Sequence, residues 1–145
     1  MHIRWMIRRD YDEVLAIENA LFEFPWTEKE FVDELRKRNS IGMVADDGDV
    51  LGYVVYRLAS REIEIVNLAV HPERQRQGVG TALVDRLKQK LSPERRVRLI
   101  ADVRETNLQA QLFFRELGFR ALMVKRQRFD NQEDAYHFQY RLKVA

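Results

Sequence analysis

The chain has 145 residues, 46% of them apolar and 33% charged, with a net charge of +2. That suits one soluble domain with one core, and the mixed charges call for no nucleic-acid or membrane partner. There are no cysteines and only three scattered histidines, which argues against a disulfide framework, a thiolate or histidine metal site and a cysteine nucleophile. No run approaches the roughly 18 apolar residues of a membrane span, and the first residues lack the pattern of a signal peptide, so a cytoplasmic location is expected.

Residues 2–9 read as a strand, and Asp10 is placed to cap a helix over 11–22 with Val14, Leu15, Ile17, Leu21 and Phe22 inward. Phe24, Pro25 and Trp26 break the chain. Thr27 and Glu30 form a capping box for a helix carrying Phe31, Val32 and Leu35. Strands follow at 41–45, 50–58 and 62–70, the first two joined by an Asp-Asp-Gly-Asp turn. A helix is expected over 78–91, a strand over 97–103 and a helix over 107–117 closed by Gly118. Two last strands, 119–129 and 135–142, flank a polar turn. The order β-α-α-β-β-β-α-β-α-β-β predicts an α/β mixed sheet with packed helices, one domain over 1–145.

The loop Gln75-Arg76-Gln77-Gly78-Val79-Gly80-Thr81 carries the strongest chemical signal. Its glycines allow a tight turn and a close ligand approach, and the following amides open a helix without intrahelical partners. With the helix dipole they make an anion site. Leu83 replaces the small residue of a dinucleotide fingerprint, and no lysine follows Gly80 as a Walker A loop requires. By itself the loop is equally consistent with a surface turn that starts a helix.

The chain resembles the GNAT acetyltransferases, whose pyrophosphate motif is Arg/Gln-x-x-Gly-x-Gly/Ala. The likeness extends to Asn67-Leu68-Ala69-Val70-His71-Pro72, to Asp102-Val103-Arg104-Glu105-Thr106-Asn107 and to Leu117-Gly118-Phe119 at a helix end. Phe24-Pro25-Trp26-Thr27-Glu28-Lys29 and Glu133-Asp134-Ala135 resemble bacterial ribosomal-protein-alanine N-acetyltransferases. The resemblance implies acetyl-CoA as co-substrate and no metal. Backbone groups of Leu68, Ala69 and Val70 would pair with the pantetheine arm. Arg76, Gln77, Gly78, Val79, Gly80 and Thr81 would hold the pyrophosphate, and Asn107 would bond the pantetheine side. A protein N-terminus, on a ribosomal protein for example, would lie between Phe24 and Trp26 on one side and Phe129 on the other.

A carboxylate acting through water is the expected base. Asp102 stands where the alanine acetyltransferases carry a glutamate, and Glu64 where histone-lysine members carry theirs. Either could instead be a carboxylate paired with an arginine, and Glu62 reads as solvated charge. The family's acid tyrosine is replaced by Phe114, which leaves Tyr136, Tyr53 or water to protonate the thiolate, or no donor at all. Two alternatives remain open at this level: transfer to a small amine or polyamine, favoured by an acidic pocket around Glu62 and Glu64, and a CoA-binding module without activity.

Overall fold

The computed structural model describes residues 1–143. Seven strands form one sheet: β1 (His2–Trp5), β2 (Ser40–Asp46), β3 (Val50–Leu58), β4 (Glu62–Val70), β5 (Arg98–Arg104), β6 (Arg120–Lys125) and β7 (Ala135–Arg141). Four helices accompany them: α1 (Tyr11–Leu21), α2 (Glu28–Leu35), α3 (Val79–Lys88) and α4 (Leu108–Glu116). The strand order is β1-β2-β3-β4-β5-β7-β6, antiparallel except between β4 and β5. Helix α3 is the crossover that makes this one parallel pair possible.

Each face of the sheet is covered. Leu83, Leu87, Ile63, Leu99, Phe114 and Phe138 form the core under α3 and α4. Val14, Ile17, Phe31, Tyr53 and Val55 form the core under α1 and α2. Removing each such side chain from water contributes about 1.5–3 kcal/mol before entropy is counted. On β5 the residues alternate, so Leu99, Ala101 and Val103 enter the first core while Ile100, Asp102 and Arg104 face the α1–α2 side.

The capping box of α2 forms as read, with the Glu30 amide bonded to Thr27 Oγ1 at 3.1 Å. The first strand is shorter than expected. It stops at Trp5, because the Asp10 carboxylate draws in the Ile7 amide at 2.9 Å and the Arg4 guanidinium at 2.8 and 2.9 Å. These bonds occupy the Asp10 side chain, and it does not cap α1. Strand β6 also stops early, at Lys125. Gln127 takes a left-handed φ of 49° and gives its amide to Asp134, which widens the last hairpin.

The β4–β5 ladder runs from Glu62↔Arg98 to Ile65↔Ala101 and ends there. Strand β4 continues to Val70 against β3 alone. A bulge lies at the point of divergence: Tyr56 pairs with Ile65, Val55 pairs with Asn67, and Val66 has no partner. A bulge adds twist, and here it turns the end of β4 away from β5. The sheet therefore opens into a cleft between 66–70 and the end of β5.

Candidate functional site

The glycine loop lies beyond the open end of β4. Gly78 is the N-cap of α3 with φ 83°, and Arg76 is left-handed as well, with φ 65°. The amides of residues 76–81 make no hydrogen bond within the described residues, and no acidic side chain enters the first turn of α3. Free amides at a positive helix end form a concave anion site. A Cβ on Gly78 would meet no atom within 4 Å, so this glycine faces open space. These features fit a pyrophosphate. Gly80 differs from expectation. Its Cβ would lie 3.0 Å from the Phe113 ring and 3.4 Å from Val70, so it serves the packing of α3 against α4 and β4 rather than ligand approach. Val79 likewise points into the core and can offer only its amide, whereas Gln77 and Thr81 are exposed.

Leu68, Ala69 and Val70 border the cleft, where an extended ligand fits as an added strand. Their side chains divide between the two cores. Asn107 caps α4, with Oδ1 accepting from the Ala110 amide at 3.1 Å. Its Nδ2 makes no protein hydrogen bond among the described residues and can face a ligand.

The two candidate bases share the α1–α2 face of the sheet. Glu64 sits inside the paired stretch, level with Ile100, and Asp102 lies one residue past its end. Glu64 is 3.5 Å from Arg57 Nη1. Asp102 is enclosed by three partners: His137 Nδ1 at 2.7 Å, Lys125 Nζ at 3.0 Å and Arg128 Nε at 3.2 Å. Burial pushes the Asp102 carboxyl up, but hydrogen bonds from His137 and Lys125, with the charge of Lys125, outweigh it and hold the group below the ordinary range. The Gln139 amide, placed as donor to His137 Nε2 at 3.0 Å, assigns the Nδ1–H tautomer that donates to Asp102. Glu62 is paired with Arg98 at 2.8 Å rather than solvated.

The expected acceptor walls meet on a residue the sequence did not single out. Arg104 lies 4.6 Å from the Phe24 ring and 4.0 Å from the Phe129 ring. It also bonds Asn131 and Glu133, and Glu133 in turn holds Thr106. The last hairpin is thereby tied to the turn after β5. Phe24 is exposed, whereas Trp26 turns inward against Phe31 at 4.9 Å.

Two tyrosines, and the phenylalanine at the family's tyrosine position, bear on thiolate protonation. Phe114 is buried against Phe119 and Phe138 and supplies no proton. Tyr53 donates to Glu18 inside the core, and burial together with that carboxylate pushes its hydroxyl far above the ordinary range. Tyr136 lines a groove of about 640 Å³ beside α4 with Leu108, Leu112 and Ala121. His137, Lys125, Arg104 and Glu18 were all missed by sequence reading. Only the pairing of β7 with β5 brings the first of these beside Asp102.

Residues 11–119 match the family described as Acetyltransferase (GNAT) family. The chain is 30% identical over 129 residues to the [ribosomal protein bS18]-alanine N-acetyltransferase of Escherichia coli K12, covering 87% of each chain. It is 26% identical to an N-alpha-acetyltransferase of Sulfurisphaera tokodaii, covering 88% of this chain and 84% of that one. The crystal structure of the ribosomal-protein-S18-alanine N-acetyltransferase from Escherichia coli superimposes with a TM-score of 0.83 at 26% identity, over 99% of this chain and 95% of that one.

Proposed function

This chain belongs to the GNAT acetyltransferase family and is an acetyl-CoA-dependent N-acetyltransferase; from that premise we propose that its acceptor is the α-amine of a protein N-terminus, of the ribosomal-protein type. The observation that carries the reading is the end of the β4–β5 ladder at Ile65↔Ala101. It opens a cleft with the anion loop toward the α3 side and Asp102, Arg104, Phe24 and Phe129 on the α1–α2 side. The donor thioester enters from one side and the acceptor from the other. The names of the similar Escherichia coli and Sulfurisphaera proteins support an N-terminal acceptor.

The roles follow from the chemistry of the groups. Amides of residues 76–81 would bind the pyrophosphate, the free edge of 68–70 the pantetheine arm, and Asn107 Nδ2 its flank. A backbone amide near Leu68 would stabilise the oxyanion that develops on the thioester. Among the two carboxylates, Asp102 is the base in this reading, since it stands past the last paired residue while Glu64 stands inside the ladder. It would take the proton through water. An α-amine with pKa about 7.7–8.0 is partly neutral at pH 7, whereas a lysine near 10.4 costs about 3.4 kcal/mol more to deprotonate. A base of depressed pKa therefore suits the α-amine better. Phe114 carries no proton and Tyr53 is held by Glu18, so water or Tyr136 would protonate the thiolate, or it would leave unassisted, which a thiol of pKa about 8.5 tolerates.

Glu62 and Glu64 are each paired with an arginine, so no uncompensated acidic pocket favours a polyamine. The whole chain would work as one domain, in the cytoplasm where new protein N-termini arise. The deciding experiment incubates the protein with acetyl-CoA, peptides with free alanine N-termini, lysine side chains and polyamines, and maps products by mass. Modification of lysines or polyamines alone would refute the N-terminal reading. CoA binding with no acetylated product would select the inactive module.

A further inference from the structure

Glu18 is the most deeply buried carboxylate among the described residues, with 1% of its surface exposed. The buried carboxylates Asp10 and Glu34 each pair with an arginine. Glu18 has no ion-pair partner among the described residues. It is held by three donors: the Tyr53 hydroxyl and Asn67 Nδ2 (2.8 Å) on Oε1, and the Trp26 amide (2.8 Å) on Oε2. Burial of an unpaired carboxylate is costly, and only such donors make it tolerable. They come from three places: β3, β4 and the loop between α1 and α2. Asn67 follows the bulge where β4 leaves β5, and directly precedes the edge 68–70. Trp26 neighbours the Phe24 wall of the acceptor groove.

We propose that Glu18 is a positioning residue that couples the two substrate sites, registering the strand that receives acetyl-CoA, through Asn67, against the loop that receives the acceptor, through Trp26. This rests on the functional reading above. A pantetheine arm paired along 68–70 restrains Asn67, and Asn67 restrains Oε1. The carboxylate is planar and rigid, so Oε2 and the Trp26 amide are set with it. Acceptor binding is then tighter on the loaded protein, and by reciprocity CoA binds tighter when the acceptor is present.

Asn67→Ala cuts one link and leaves Glu18 bonded to Tyr53 and Trp26. The chain has two tryptophans, and in a Trp5→Phe background Trp26 is the sole indole reporter. Adding CoA is expected to shift Trp26 emission in that background and not in Asn67→Ala, while calorimetry finds the CoA Kd of both within about twofold. A synthetic peptide with a free alanine N-terminus is expected to bind at least about fivefold tighter with saturating CoA in the parent, and within twofold in Asn67→Ala. If the Glu18–Asn67 bond served stability alone, Asn67→Ala would lower the melting temperature and keep the parent's ratio, and that result overturns the coupling. An emission shift absent from the parent, or retained in Asn67→Ala, overturns the coupling. Failure to acetylate any peptide N-terminus overturns the functional reading instead, and the emission arm still decides the coupling.

Discussion

The Arg104 guanidinium lies 4.6 Å from the ring of Phe24 and 4.0 Å from the ring of Phe129, so one side chain of β5 joins the loop after α1 to the last hairpin. A cation over aromatic faces contributes about 0.5–2 kcal/mol, and the planar guanidinium is not replaced by a lysine ammonium. Arg104→Ala should let the two walls part and raise the KM for an acceptor peptide about tenfold, with the acetyl-CoA KM unchanged. Steady-state kinetics with each substrate varied in turn checks this. A parallel rise in both KM values would mean that Arg104 serves the fold at large.

Asp102 is expected to govern kcat. Asp102→Asn should lower kcat by about 10²–10⁴-fold with little change in the acetyl-CoA KM. Its carboxyl is held below the ordinary range, so it is ionised throughout neutral pH. Activity would be lost to its protonation only in strong acid. The acidic limb of kcat/KM near pH 7–8 then belongs to the acceptor amine and should persist in the variant. If Glu64→Gln lowers kcat and Asp102→Asn does not, the base is Glu64.

The two loop glycines should fail in different ways. Gly78 has φ 83° and open space around its missing Cβ, so Gly78→Val should cost about 1 kcal/mol of backbone strain and sharply weaken CoA binding. Gly80 faces the Phe113 ring at 3.0 Å, so Gly80→Val should cost about 1–3 kcal/mol by overpacking. Thermal melts and CoA titration on the same samples separate the two. Unchanged CoA affinity in Gly78→Val would argue against the pyrophosphate site.

Glu34 gives an acid-stability test away from the cleft. Arg57 bonds it at 2.6 and 2.8 Å, assisted by Lys37, and holds its carboxyl at about 2. The folded pKa is depressed, so the stabilisation is present above the unfolded value near 4.5 and is lost as pH falls toward 2. The shift is worth about 3 kcal/mol at neutral pH. Glu34→Gln should remove most of that at pH 7 and little at pH 2.5, as measured by urea unfolding.

The sequence alone determined the element order, the capping box of Thr27 and Glu30, and the tight turn at Gly78 that opens a helix. These depend on local spacing: apolar periodicity, a side-chain oxygen three residues from an amide, a residue free to take positive φ. It misjudged Asp10, since a capping residue is recognised by position and nothing local reveals that Arg4 competes for its carboxylate. It gave Gly80 a ligand's reason, although the neighbour that demands a glycine there is Phe113, thirty-three residues away.

Only the tertiary structure decided which carboxylate stands in the opening and what surrounds it. Asp102 and Glu64 look alike in sequence. The register of a parallel pair, a non-local property, leaves one inside the ladder and the other beyond it. His137, Lys125 and Arg128 reach Asp102 because β7 inserts between β5 and β6, and Glu18 meets Asn67 across forty-nine residues. Strand pairing and burial set such contacts, and a side chain's neighbours across a sheet are encoded by the whole chain rather than by its own segment.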